Sequence, residues 1–193
     1  IRTSEWIQTG GGDGFQPRVD PENTDIIYGL SQNGAAFRFD KHTGIRTGIR
    51  PAAEPNGPAL RWHWDTPLII SAHAPTRLYM AGNRLYRSDD RGDNWQALSD
   101  DLTRQLDPEN QRLMGQTWDA NAVQKNNFTT ALSVSSALDE SALAEGLLYV
   151  GTDDGLVQVS ESSGETWRRI ERFPGIPDRA YVSDICASQH NVD

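Results

Sequence analysis

Two eight-residue stretches, SDDRGDNW at positions 88–95 and SESSGETW at 160–167, share one pattern of residue types. Both have the form Ser-X-Asp/Ser-X-Gly-X-Asn/Thr-Trp, and a third stretch, FDKHTGIR at 39–46, keeps only the turn and its glycine, Gly44. Glycine tolerates the positive backbone φ that other residues resist, so each stretch predicts a tight turn. Turns of one type that recur along a chain indicate a repeated structural unit.

The turns belong to three longer segments that align with one another, at 25–49, 76–98 and 146–170. Their anchoring tyrosines, Tyr28, Tyr79 and Tyr149, are 51 and 70 residues apart. The longer interval contains 26 polar, turn-rich residues at 101–126, which predict an insertion. Without them the spacing falls close to the ~40–50 residues of a four-stranded propeller blade.

Alternating apolar residues and strand-forming side chains predict an all-β fold. The expected architecture is a β-propeller fragment of four-stranded antiparallel blades, about three blades plus one strand. The opening strands are predicted at 15–20, 67–72, 128–134 and 181–187, and the stretch 136–145 is compatible with one or two helical turns. The predicted boundaries are 10–55, 60–100 and 127–172 for the blades, 101–126 for the insertion and 180–188 for the first strand of a next blade.

Composition excludes several classes of protein. The chain has 27 acidic and 18 basic residues and a formal net charge of -9, which disfavours nucleic acid and anionic membrane surfaces as partners. No apolar run approaches the roughly 20 residues of a membrane-spanning helix. The single cysteine, Cys186, excludes an internal disulfide and is predicted to be a small buried residue. The four histidines show no metal-ligand spacing, so neither metal nor cofactor is expected.

The repeated turn resembles the Asp-box of sialidases, sortilin-type propellers, xyloglucan-active glucanases and many bacterial repeat proteins. In those families the box lies between the third and fourth strands of a blade, away from the active site, so the resemblance implies a structural role. Asp90 is expected to accept backbone N–H groups within the turn, as Asx-turns do. The residues given this role are Ser88, Asp90, Gly92, Trp95, Ser160, Gly164, Thr166 and Trp167.

Most of the chain also resembles large bacterial sortilin-like or glycosyl-hydrolase-like repeat proteins. This wider resemblance rests on stretches such as RWHWDTPLIISAHAPTRLYMAGNRLYRSDD (61–90) and GLLYVGTDDGLVQVSESSGETW (146–167). It implies a longer parent chain and a secreted, periplasmic or cell-envelope location. The predicted partners are the remaining blades, on the parent chain or on a partner chain, because three blades cannot close a ring.

The loops between second and third strands face one end of a propeller, where ligands bind. They read SQNG (31–34), GNR (82–84) and TDDG (152–155). Asp153 aligns with the catalytic acid of xyloglucan-active enzymes, while the first repeat carries Gln32, a neutral amide, at that position. Three roles remain open for Asp153: catalysis, ligand contact or plain turn chemistry.

The segment RWHWD (61–65) places Trp62 and Trp64 on one side of an extended strand. Their indoles are candidates for stacking on sugar rings, and burial in the core is the alternative. The predicted ligand-binding residues are Gln32, Asn33, Trp62, Trp64, Asn83, Asp153 and Asp154.

Three functions are therefore compatible with the sequence. The first is a binding propeller segment for a glycan or a peptide. The second is a glycoside hydrolase in which blades outside this segment complete a carboxylate pair. The third is an assembly role in which the insertion at 101–126 contacts a partner.

Overall fold

A computed structural model describes residues 6–55, 57, 59–107, 112–113, 116–117 and 133–192. Three four-stranded antiparallel sheets make up the fold, and in each the strands follow one another in chain order. The first sheet is β1 (Phe15–Val19), β2 (Ile26–Ser31), β3 (Ala35–Asp40) and β4 (Arg46–Gly48). The second sheet is β5 (Leu68–Ile70), β6 (Leu78–Ala81), β7 (Leu85–Ser88) and β8 (Gln96–Ala97). A two-stranded ribbon, β9 (Arg112–Leu113) and β10 (Gln116–Thr117), precedes the third sheet, β11 (Ser135–Glu140), β12 (Leu148–Thr152), β13 (Val157–Ser160) and β14 (Arg168–Ile170).

These sheets confirm the predicted all-β class and its four-stranded antiparallel blades. Helix is nearly absent from the described residues, where a 3₁₀ turn at Gln32–Gly34 joins β2 to β3. None of the described helical segments has the length and apolar character needed to cross a bilayer.

Two hydrophobic cores hold the sheets face to face. Tyr28 and Leu30 of the first sheet meet Leu78 and Met80 of the second, and all four side chains are fully or almost fully buried. Tyr79 and Leu85 then point the other way, toward the third sheet, because successive side chains of a strand lie on opposite faces. Their partners in the third sheet are Leu138, Leu148 and Val150.

The sheets stack in the manner of propeller blades. The first strands of neighbouring sheets lie side by side, β1 beside β5 and β5 beside β11. We call the face of a sheet toward its predecessor the leading face and the opposite one the following face. Loops between second and third strands share one end of the stack, the loop end. Turns between third and fourth strands lie at the opposite end of each third strand, the turn end.

The opening strand of the third sheet differs from the prediction. The sequence of residues 136–145 is compatible with one or two helical turns, but Ser135–Glu140 is a strand that pairs with β12 from Thr152 to Leu148. Alanine, leucine and glutamate favour helix locally, yet Leu138 is held in the second core and tertiary packing overrides that propensity. Of the strand predicted at 128–134, residues 128–132 lie outside the described residues.

The expected strand at 181–187 is not formed. The segment lies against the third sheet, where the Val182 N–H donates to Thr152 O at 3.2 Å and the Ala187 N–H donates to Asp139 Oδ2 at 2.7 Å. A strand requires a ladder with a neighbour, and the described residues provide none beside this segment. Cys186 is exposed, so the prediction of its burial is wrong.

The predicted insertion is described in part. Leu102 and Thr103 at its start are buried, so these residues belong to the packed structure rather than to a solvated loop. The ribbon β9–β10 falls within it, with Gln116 paired to Leu113. Most of residues 108–126 lie outside the described residues.

Candidate functional site

At the turn end, the β7–β8 turn is closed by the side chains that the sequence marked. The Ser88 hydroxyl donates to Asp90 Oδ1 at 2.8 Å and accepts the Gly92 N–H at 2.8 Å. Asp90 also accepts the backbone N–H of Asn94 at 2.8 Å and its side-chain amide at 2.7 Å. Hydrogen bonds from the Asn94 side chain and backbone and from Ser88 lower the pKa of Asp90 to about 2.

The β13–β14 turn repeats this arrangement with a hydroxyl in place of the carboxylate. Ser160 Oγ accepts the Gly164 N–H at 2.8 Å, and Ser162 Oγ accepts the Thr166 N–H at 2.9 Å. The Ser162 and Thr166 hydroxyls lie 2.8 Å apart. The two turns therefore share a hydrogen-bond plan that does not depend on the charge of the third residue.

The two turn tryptophans have different partners. Trp95 Nε1 donates to Ile49 O of the preceding sheet at 2.7 Å, whereas Trp167 Nε1 donates to Gly164 O within its own turn at 3.1 Å. Both rings are partly buried against a core. The predicted turn residues therefore contact neighbouring structure and lie at the end opposite the loops.

At the loop end, Asn83 and Asp153 occupy equivalent positions, each four residues after an anchoring tyrosine. The Asn83 N–H donates to Arg61 O at 2.9 Å while its Oδ1 accepts the Arg61 N–H at 2.9 Å. The Asp153 N–H donates to Val134 O at 3.0 Å while its Oδ1 accepts the Val134 N–H at 2.9 Å. Each side chain thus ties its loop to the segment that leads into the same sheet.

These contacts limit what the two side chains can do chemically. Only 2 % of Asn83 and 7 % of Asp153 is exposed. One carboxylate oxygen of Asp153 accepts a backbone N–H, as in an Asx-type turn, and catalysis, ligand contact and turn chemistry stay predictions for this residue. Gln32, at the equivalent position of the first sheet, accepts the Ser31 hydroxyl at 2.8 Å and lies against Gly12 of its own lead-in segment.

Asp154 and Asn33 are placed very differently. Asp154 is fully buried, accepts the Thr152 hydroxyl at 2.5 Å, and accepts the Arg104 N–H at 2.8 Å. It therefore joins the start of the predicted insertion to the third sheet. Asn33 is exposed in the left-handed region at φ 57°, and its N–H donates to Trp64 O at 3.3 Å.

Trp62 is packed between two loops. A β-carbon at Gly34 or at Gly82 would stand 2.9 Å from its indole ring, so both glycines are needed for this close approach. Its ring centroid lies 6.0 Å from that of Tyr86. Trp62 and Trp64 are both half-buried, and Trp62 packs against the first core.

Sequence reasoning did not single out a cluster of His63, Asp65 and Tyr181 at the loop end. His63 Nδ1 accepts the Asp65 N–H at 3.0 Å, and His63 Nε2 lies 3.4 Å from Tyr181 Oη with the ring centroids 5.8 Å apart. Gln16 Nε2 donates to Asp65 Oδ1 at 3.2 Å. Tyr181 is 51 % exposed, so the cluster presents an aromatic surface to solvent.

The electrostatics of this cluster are set by partial burial and by acids. Desolvation raises the pKa of Tyr181, and the carboxylates of Asp65 and Asp153 raise it further, so the phenol stays neutral and can donate a hydrogen bond. The repeats could have identified Tyr181. The pair Tyr181–Val182 occupies the same position relative to the third sheet as Val134–Ser135 occupies relative to the second sheet. Val182 donates to Thr152 O, and Ser135 donates to the equivalent Gly82 O. Within the described ranges no three His, Cys, Asp or Glu side chains are grouped to hold a metal ion.

Acid sensitivity follows from three aspartates, Asp20, Asp90 and Asp101. Burial raises the pKa of Asp20 and Asp101. Hydrogen bonds, from Arg91 to Asp20 and from Thr103 to Asp101, lower it by more. The pKa values of both residues therefore lie below the ordinary 3.8, as does that of Asp90. A folded-state pKa below the unfolded one gives stability that is present above about pH 4 and lost as the pH falls toward the folded value. We expect the melting temperature to be level from pH 7 to 5 and to drop steadily below pH 4. A melting temperature that rises between pH 4 and pH 2.5 would contradict this.

No protein-family profile and no curated protein sequence matches the chain. Among solved structures it is similar to U3-55K, with a TM-score of 0.51 and 12% identity over 84% of this chain and 41% of that one. It is also similar to the GH74 xyloglucanase from Xanthomonas campestris, with a TM-score of 0.44 and 16% identity over 89% of this chain and 32% of that one. The chain therefore spans less than half of either protein. At 12% identity the first likeness extends to the fold alone, and a TM-score of 0.44 is too low to support a conclusion.

Proposed function

We propose that this chain is a ligand-binding segment of a β-propeller and that its ligand, a glycan, contacts the loop end at Tyr181. One observation carries the proposal. Tyr181 offers a half-exposed ring at the loop end, flanked by the imidazole of His63 and by Asp65. An aromatic face suits the apolar C–H surface of a sugar ring, and the neighbouring polar groups suit its hydroxyls. A peptide is the second candidate ligand.

The Asp-box assignment is also part of this proposal. The equivalent N–H bonds of Gly92 and Gly164 to a serine four residues earlier support it. With that assignment, the chain is a portion of a larger sortilin-like repeat protein that is secreted, periplasmic or attached to the cell envelope. The remaining blades complete the ring.

A glycoside hydrolase is the alternative, and the geometry supports it less well. Hydrolysis needs two carboxyl groups about 5–10 Å apart across a cleft, one of them free to move a proton. Asp153 is buried and already accepts a backbone N–H. Turnover of a polysaccharide that is abolished by Asp153→Ala would overturn the binding proposal in favour of this one.

The binding proposal is tested on a glycan array and a peptide array with the wild-type chain and Tyr181→Ala. We expect glycan binding and a loss of about tenfold or more in affinity for Tyr181→Ala, since aromatic anchors at the centre of a site carry much of the binding energy. Tyr181→Phe keeps the ring and is expected to lose less.

Ile45→Ala is the matched control, because Ile45 is 61 % exposed on the groove between the first and second sheets. It should bind as the wild type does. Equal affinity of wild type and Tyr181→Ala for the captured glycan would refute the role of Tyr181, and capture of peptides alone would replace the glycan by the second candidate.

A further inference from the structure

A groove of about 630 Å³ lies between the second and third sheets, beside β8. Arg84 and Ser99 line it from the second sheet, and Gln158 and Trp167 line it from the third. Among the described residues, the groove shares none of its lining with the cluster around Tyr181. It is therefore a place on the molecule that is separate from the candidate site at the loop end.

Arg84 is a largely buried cation without a hydrogen-bond partner in the described part of the chain. Its side chain is 19 % exposed, and its buried Nε donates to no described atom. Its ion pair is weak, because Asp100 Oδ1 lies 3.9 Å from Nη2 and belongs to a fully exposed side chain. A buried cation without an acceptor costs free energy, so a ligand oxygen that accepts from the Nη groups removes part of that cost.

Other arginines at the contacts between sheets have close acceptors. Arg91 donates to Asp20 at 2.7 Å, and Arg61 donates to Asp101 at 2.8 Å. Arg84 lies at the same kind of contact, yet the described residues place no oxygen at such a distance from its guanidinium. The groove is the open position for such an oxygen, because the Arg84 side chain lines it.

Gln158 supplies an acceptor to the same groove. Only 6 % of this residue is exposed, and its Nε2 donates to Leu102 O at 2.7 Å. Since the amide nitrogen donates and the amide oxygen accepts, this bond fixes the orientation of the side chain and leaves Oε1 without a donor from the described residues. In the second sheet the equivalent residue is Tyr86, which pairs with Met80 as Gln158 pairs with Val150. This contact between sheets therefore has a hydrogen-bonding group where the preceding one has an aromatic ring.

The lining of the groove suits an uncharged ligand that carries hydroxyl groups. A hydroxyl accepts a hydrogen bond from Arg84 and donates one to Gln158, whereas a carboxylate or sulfate has no hydrogen for the Gln158 oxygen. Asp100 and Glu165 are exposed at the groove and repel an anion. The partly buried ring of Trp167 adds an apolar surface of the kind that packs on the C–H face of a sugar. A peptide group fits less well, because its C=O and N–H point in opposite directions.

We infer that this groove is a second glycan-binding site of the chain and that it takes a neutral sugar. The Nη groups of Arg84 donate to neighbouring hydroxyl oxygens of the sugar, and Gln158 Oε1 accepts a hydroxyl hydrogen. The inference goes beyond the proposed site at Tyr181 and does not depend on it, because the two sites have no residue in common.

The test uses an array that carries neutral, uronate-containing and sulfated oligosaccharides together with peptides, and calorimetry gives the dissociation constants of the oligosaccharides that bind. It compares Tyr181→Ala, in which the groove is intact, with Tyr181→Ala/Arg84→Met. We expect Tyr181→Ala to retain binding to neutral oligosaccharides and the double variant to bind them about tenfold more weakly or worse, since hydrogen bonds from a charged donor are among the stronger ones. Arg84→Lys keeps the charge without the planar set of donors and should also lose affinity.

Arg87→Met is the matched control, because Arg87 is paired with Asp89 at 2.8 Å and does not line the groove, so binding should be unchanged. Arg84→Met should keep the melting temperature of its parent, because it removes no hydrogen bond between described residues. The inference is overturned if Tyr181→Ala binds no neutral oligosaccharide, if Arg84→Met binds as tightly as its parent, or if binding that depends on Arg84 is confined to anionic glycans or peptides. Equal binding by the wild type and Tyr181→Ala, with a loss in Arg84→Met, would refute the role of Tyr181 and support the groove.

Discussion

The Asp20→Ala variant is expected to lose about 3 kcal/mol of unfolding free energy, since several hydrogen bonds worth roughly 1 kcal/mol each disappear together. Asp20 is completely buried in the β1–β2 turn. It accepts the Tyr28 hydroxyl at 2.9 Å, Arg91 Nε at 2.7 Å and the N–H groups of Glu22 and Asn23 at 3.0 and 2.9 Å. Alanine removes the acceptor for all four donors and breaks the ion pair between the first and second sheets.

Guanidinium chloride unfolding followed by circular dichroism measures this loss. The matched control is Glu22→Ala, because Glu22 also pairs with Arg91, at 2.9 Å, but is 58 % exposed. An exposed pair contributes at most about 1 kcal/mol, so the control should stay close to the wild type. Equal losses of unfolding free energy for the two substitutions would show that the buried network around Asp20 stabilises the fold no more than an exposed ion pair does.

Gly92→Ala is expected to cost about 3 kcal/mol, against about 1 kcal/mol for Gly44→Ala. Both glycines have positive φ, 90° and 72°, so both substitutions carry about 1–2 kcal/mol of left-handed backbone strain. Only at Gly92 does the added methyl meet a neighbour, Ile49, and overpacking of that kind adds roughly 1–3 kcal/mol.

The same unfolding measurement, extended by Ile49→Ala, isolates the inter-sheet part. In the Gly92→Ala background, Ile49→Ala removes Cδ1 and Cγ2, two of the three Ile49 atoms that the new methyl meets, and should relieve that part of the clash, giving a coupling energy of about 1 kcal/mol in a double-mutant cycle. No coupling, or equal losses at Gly92 and Gly44, would mean that the contact between Ile49 and the turn is not tight.

Fold class was predictable because its causes are local and repeated. Strand alternation, the anchoring tyrosines and the turn glycines recur with the spacing of one blade, so each repeat supports the interpretation of the others. The strand Ser135–Glu140 was missed because its residues favour helix by themselves, and what makes it a strand is the packing of Leu138 between sheets. Its nearest repeat equivalent, β5, has a different local sequence.

From the sequence, the location of the candidate site at the loop end was predictable, but the contacts of its side chains were not. The loops that contain Asn83 and Asp153 lie at one end of the stack, but the side-chain partners come from Arg61 and Val134, 22 and 19 residues earlier. Such pairings depend on where each lead-in segment returns to its sheet, which no short motif encodes. The pairing of Tyr181 with His63 was missed for the same reason, since the two residues are 118 positions apart.

The bonds at Asn83, Asp153 and Asp154 have a consequence for the connection between the second and third sheets. Where the chain leaves the second sheet, the Leu102 N–H donates to Asn83 O at 2.9 Å and the Arg104 N–H donates to Asp154. Where the chain enters the third sheet, the Val134 N–H donates to Asp153. Both ends of the connection are therefore held by hydrogen bonds to the sheets that it joins. For this reason, the number of residues between these ends can vary without changing how the two sheets pack. This junction is accordingly the position where the protein should accept an added loop, a tag or a small inserted domain at the lowest thermodynamic cost.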